Sequence, residues 1–155
     1  MPGSEELLEE VAQMRDKHRR EDEYFLYEQN AQKLQLVVYN QGDDPIENAS
    51  LTLVMPNHNS FYVANSLPML LKEDRWVERG PAERASYPAV NLKDDAVHVS
   101  STLDEIPTDA PVQVFETPLR LCIGDELKGR RLGVRYSVFG SNLRAPAKGT
   151  LKLLF

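Results

Sequence analysis

The sequence predicts a mainly β fold, an antiparallel β-sandwich with one α-helix at its N-terminal end. Three observations carry that prediction. No Gly or Pro occurs between Ser4 and Gly42, and the apolar positions of the first part of that stretch repeat at helical spacing. From Leu34 the apolar period changes to two, as a half-buried strand requires. Beyond that point, short apolar runs alternate with clusters of Gly, Pro, Asn and Asp, which is turn chemistry recurring at strand-length intervals. A single open sheet of that many strands leaves a face and two edges unprotected, and packing two sheets together removes the problem.

Taken in order, Ser4 to Ala31 reads as helix, with Ser4 as N-cap and Glu5 and Glu6 in the first turn, where the helix dipole favours negative charge. Leu7, Val11, Met14, His18, Glu21 and Phe25 follow alternating spacings of four and three, a heptad seam that is apolar at its ends and polar in the middle. Three readings stay open: a solvated charged helix, a dimer seam formed by Leu7, Val11, Met14 and Phe25, or a helix continuing from an upstream domain. Domain organisation follows, with residues 1–33 a charged linker or coiled-coil segment and residues 34–155 the sandwich.

Leu34, Leu36 and Val38 alternate as the first strand, and Leu51 to Met55 forms the second, stopped by Pro56. Ser60 to Ala64 returns as a third. The stretch Asn65 to Pro88 is irregular and reads as a long connection with a helical turn near Leu70 to Trp76. Strands resume at Ala89–Leu92 and Ala96–Ser100, then Val112–Phe115, Leu119–Ile123, Leu132–Phe139 and Thr150–Phe155. Between the first two strands, Asn40 and Gly42 suit the positive φ of a tight connection and Pro45 fixes the exit.

The segment Leu34 to Pro56, with its strand ending Asn40-Gln41-Gly42 and its second strand closed by Pro56, resembles the opening hairpin of bacterial immunoglobulin-like accessory domains of the CARDB-like and NEW3-like kinds. The resemblance spans 23 residues, Leu34 to Pro56. It implies an immunoglobulin-like antiparallel β-sandwich of about eight to nine strands and a role in presenting, spacing or docking other domains. The charged leading helix and the long 65–88 segment depart from that pattern.

Chemistry is sparse. Cys122 is the one cysteine and sits in the apolar run Leu119–Ile123, where it reads as a small buried hydrophobe. His18, His58 and His98 fall on different elements, and His98 alternates with Val97 and Val99, so it faces away from them. Acidic pairs at Asp43-Asp44, Asp94-Asp95, Asp104-Glu105 and Asp125-Glu126 read as turns rather than calcium loops. Nucleotide-binding glycine motifs and a serine-hydrolase elbow are missing. The formal net charge of −6 opposes broad nucleic-acid binding. A local basic cluster remains: Lys128, Arg130, Arg131 and Arg135, followed by Arg144 and Lys148. Arg131, Gly133 and Arg135 share one strand face.

From this the expectation is a non-catalytic interaction or accessory module, not an enzyme, that docks or positions a partner or another domain. The alternative is a carbohydrate- or peptide-binding module using the Phe61–Trp76 region. Arg130, Arg131, Arg135, Arg144, Trp76 and Tyr62 are the partner-binding candidates. Expected partners are another protein, an upstream domain, or a second copy through the helix. No catalytic residue, cofactor or metal is expected, nor any membrane association. The first residues lack a signal-peptide pattern, which predicts a cytoplasmic location.

Overall fold

The computed structural model describes residues 3–155. It is mainly β, with antiparallel sheets and one long N-terminal helix, α1 (Ser4–Tyr24). Its N-cap is Gly3 rather than Ser4; Ser4 is the first helical residue, and the Glu6 carboxylate accepts from the Gly3 backbone N–H at 3.3 Å. The helix runs on into one wide turn, Phe25–Gln29, closed by Asn30 N–H donating to the Phe25 carbonyl at 2.9 Å. No residue of α1 is buried.

The larger sheet has five strands in the order β12 (Ala147–Leu154), β11 (Arg131–Phe139), β3 (Ile46–Pro56), β8 (Ala96–Ile106), β7 (Ala89–Lys93). Facing it are β1 (Gln32–Leu34), β10 (Leu119–Ile123) and β4 (Phe61–Val63), with β2 (Val37–Tyr39) paired to β9 (Pro111–Gln113) alongside. The interruption between β1 and β2 is bridged by Gln35, whose side chain donates to the Phe115 carbonyl at 2.6 Å and accepts from the Phe115 N–H at 3.1 Å. One predicted strand is therefore two, because Gln35 satisfies backbone groups that a ladder would otherwise pair.

Strand alternation places the core. Ala49, Leu51, Leu53 and Met55 on β3, Val97 and Val99 on β8, and Leu132, Val134 and Val138 on β11 are buried against Phe61, Leu119, Leu121, Val114 and Phe115. Each large side chain so buried contributes roughly 1.5–3 kcal/mol through area removed from water. Met55, Ile106 and Leu119 are fully enclosed.

Three local readings are corrected. Residues Leu70 to Trp76 are not a helical turn but a hairpin, β5 (Leu70–Lys72) and β6 (Arg75–Val77), joined by Glu73 and Asp74 at φ +50° and +62°. Those angles describe a primed two-residue turn, which usually advertises itself with Asn-Gly. The helical piece of this region is α2 (Pro81–Ser86), begun by a proline at its first position. In the first connection neither Asn40 nor Gly42 has positive φ; Asn40 instead accepts from the Gly42 N–H and donates to the Asp44 carbonyl, both at 2.9 Å.

Candidate functional site

Near Val138 and Ala147 the two layers do not close. Leu36, Val37, Val38 and Tyr39 form one wall and Leu51, Leu53, Tyr136, Val138, Ala147 and Leu151 the other, leaving an open apolar cleft of about 370 Å³. At the far end of β12 the layers are sealed, with the Phe155 ring 6.3 Å from that of Phe61. Leu151 stays 36% exposed although it shares a face with the buried Val134 opposite it. Polar groups at the cleft are few: the phenols Tyr39 and Tyr136 and the amides Asn40 and Gln41. None of the lining side chains is a carboxylate, imidazole, amine or thiol.

Tyr136 owes its position to Gly149. The two are directly opposed on β11 and β12, and a Cβ at Gly149 would fall 2.4 Å from the Tyr136 hydroxyl oxygen. The missing side chain is thus the space the ring occupies. No turn signal marks Gly149 in the sequence; its role appears only through strand register.

A second cluster anchors the helix. Glu28, in the wide turn after α1, receives Arg120 at 2.6 and 2.8 Å and Arg79 at 2.8 Å on one carboxylate oxygen, with Lys33 at 3.7 Å on the other. Arg120 is 6% exposed, stands 6.0 Å over the Tyr87 ring, and donates to the Pro118 carbonyl. The Tyr87 hydroxyl donates to the Ala64 carbonyl at 2.7 Å and accepts from the Arg120 backbone N–H at 3.3 Å. Burial pushes this phenol above its ordinary range. β10 is therefore buried on both faces: the core covers one and the wide turn covers the other. Every member of this cluster has a partner, so it fastens the turn to the sandwich rather than offering a site.

Trp76 belongs to the same anchor. Its ring lies 5.3 Å from Tyr24 at the end of α1, so it holds the helix and is no exposed platform. Tyr62, 53% exposed on β4, stands apart from it. Cys122 is buried and burial raises its thiol pKa, away from the reactive thiolate. Leu7, Val11, Met14 and Phe25 are all exposed.

Arg131 and Arg135 lie on the outer face of β11, and Arg130 and Arg144 are exposed in the adjoining loops. Lys128 leaves this group by pairing with Asp125 at 2.7 Å. Register adds Lys148 and Lys152 of β12 to the same outer face, beside Ser137 and Gly133. Lys152 was missed in the sequence, although counting would have found the pattern: residues 129–155 hold six cations and no Asp or Glu. The remaining 12 Lys and Arg and all 24 Asp and Glu lie in residues 1–128, a formal −12 against +6. None of these six cations forms an ion pair among the described residues.

Among the described residues, no three His, Cys, Asp or Glu side chains gather as metal ligands, and no helix is long and apolar enough to cross a membrane. No protein-family model and no curated protein matches the chain. Among solved structures it is similar to one described as "AvmM Catalyzes Macrocyclization in Alchivemycin A Biosynthesis", at 11% identity and a TM-score of 0.34, over 81% of this chain and 80% of that one. That protein is an enzyme.

The finding corrects the expectation of a non-catalytic docking module and of a non-enzyme, together with its carbohydrate- or peptide-binding alternative at Phe61–Trp76. Architecture does not dictate activity, so the scarcity of catalytic motifs in a β-sandwich is no ground for excluding one. In the Phe61–Trp76 region the physical reason is local: Trp76 is occupied by Tyr24. At this identity and TM-score the likeness lends the chain no particular chemistry.

Proposed function

We propose that this protein binds an apolar small molecule in the open cleft between β2 and the β3–β11–β12 side of the large sheet. The observation that supports the reading is the cleft itself, an open space of about 370 Å³ with largely apolar walls, at the opposite end of β12 from the Phe61–Phe155 contact. Ligand sites typically occupy roughly 300–1,000 Å³, with mostly apolar walls and a few polar groups that orient the molecule. Tyr39, Tyr136 and Gln41 are those groups here, the Asn40 amide being held by Gly42 and Asp44. The driving force is apolar burial, and the hydroxyls and the amide select a molecule carrying a small number of hydrogen-bonding oxygens or nitrogens. With no carboxylate, imidazole, amine or thiol in the wall, the cleft acts on its ligand by holding it in one shape.

The test is titration with N-phenyl-1-naphthylamine, a neutral dye that brightens in apolar surroundings. Saturable one-to-one brightening is expected in the unaltered protein, and its loss in Ala147→Trp, which fills the mouth, and in Leu151→Arg, which charges it. Unchanged melting temperatures show that both variants fold. Brightening that survives both substitutions places the dye elsewhere and overturns the reading.

A further inference from the structure

β12 is an edge strand: β11 lies on one side, and among the described residues no strand pairs with the other. Its free groups follow from the ladder. Phe155 N–H donates to the Arg130 carbonyl at 3.2 Å, and pairing then runs without a break from Arg131↔Leu154 to Val138↔Ala147. In an antiparallel ladder hydrogen-bonded and non-bonded pairs alternate. Leu153, Leu151, Gly149 and Ala147 thus spend their backbone groups on β11, while Leu154, Lys152, Thr150 and Lys148 present N–H and C=O at the open edge. Side chains of this second set lie on the outer face with Arg131 and Arg135. Those of the first set lie on the inner face, where Leu151 and Ala147 line the cleft.

The geometry points to β12 as the acceptor for an extended segment of a partner protein, added as a sixth strand and carrying the pattern acidic–apolar–any–apolar–acidic. Three observations select that chemistry. Unpaired backbone donors and acceptors on an eight-residue strand are satisfied best by another strand. A residue opposite Lys148 and one opposite Lys152 share their outer face, among six cations with no carboxylate side chain in their stretch of chain, so acids pair there. Residues opposite Gly149 and Leu151 point to the inner side, where apolar groups extend the cleft wall. A second copy of this chain is a poor occupant, because pairing β12 with β12 sets Lys148 and Lys152 against their own kind. The inference does not depend on the small-molecule reading: its apolar residues border the cleft, but the backbone pairing and the acidic contacts that carry it are made on the edge and the outer face.

Fluorescence anisotropy with a labelled Ser-Glu-Val-Thr-Val-Glu-Ser peptide tests it. Saturable binding is expected, falling with added salt. Replacing both lysines, Lys148→Glu with Lys152→Glu, is expected to weaken it by on the order of tenfold or more, and a peptide with Lys in place of Glu regains affinity for that variant. Methylating the amide nitrogen of the peptide's Thr, which faces the edge opposite Thr150, abolishes binding; methylating that of either Val, which faces away, does not. Peptides act on the unaltered protein, so the result is independent of whether the variant folds. Absence of binding overturns the proposal. So does binding indifferent to which amide is methylated, which makes the face a general polyanion surface; an oligonucleotide of equal charge binding as well then assigns it to nucleic acid.

Discussion

At the scale of single residues, the buried ionisable groups set how this protein responds to pH. Tyr27, Tyr87 and Cys122 are all raised, chiefly by burial, above ordinary values of 10.0, 10.0 and 9.0. Each therefore keeps its proton in the folded chain at a pH where the unfolded chain has begun to lose it. Folded protein holds more protons over that interval, so stability is full below about pH 8.5 and declines as pH rises through the thiol and then the phenol range. Urea midpoints measured at pH 7 and pH 10 should show the later one lower, with a shallower decline in Tyr87→Phe, which has no phenol to ionise. A midpoint unchanged across that interval would contradict the assignment. Cys122 is the residue the sequence described best, since a thiol between Leu121 and Ile123 in a strand has little chance of reaching water.

Among elements, α1 and the turn after it have opposite roles despite being contiguous. Helix residues up to Arg19 are exposed and contribute little to the core. Glu28, one wide turn later, neutralises a cation that is 6% exposed. Deleting residues 3–19 should leave the melting temperature within a few degrees of the full chain. Glu28→Ala should cost roughly 3–5 kcal/mol, because it strands the buried Arg120. Chemical denaturation of both variants checks the contrast, and the reverse ranking would mean that the helix, not the ion cluster, is the fastening.

This contrast also shows where the sequence stopped being legible. Helix, period switch and most strands were readable from local pattern, because alternation on β3, β8 and β11 reports a buried face directly. Glu28 was not, since its partners Arg79 and Arg120 are 51 and 92 residues away. Nor was the β5–β6 hairpin, whose turn uses Glu73 and Asp74 in place of Asn-Gly. The cleft was invisible for the same reason. It arises where strands far apart in the chain fail to cover one another, and Tyr136 enters it only because register sets a glycine opposite.

Considered as a whole, the molecule is divided electrically. A net charge of −6 suggests uniform repulsion from anionic surfaces, yet the β11–β12 hairpin carries +6 over 27 residues and the remainder −12. Fields on the scale of a domain fall off over about 8–10 Å at physiological salt, so each region is felt separately by anything that approaches it. On a column, the isoelectric point near 5.1 becomes a poor guide. At pH 7 and low salt the protein should be held both by a resin of quaternary amines and by one of sulfonates, each gripping a different side. Neutralising Arg131, Arg135, Lys148 and Lys152 to Gln should abolish retention on the sulfonate resin while strengthening it on the amine. A purification scheme that trusts net charge alone would lose the protein on the wrong column.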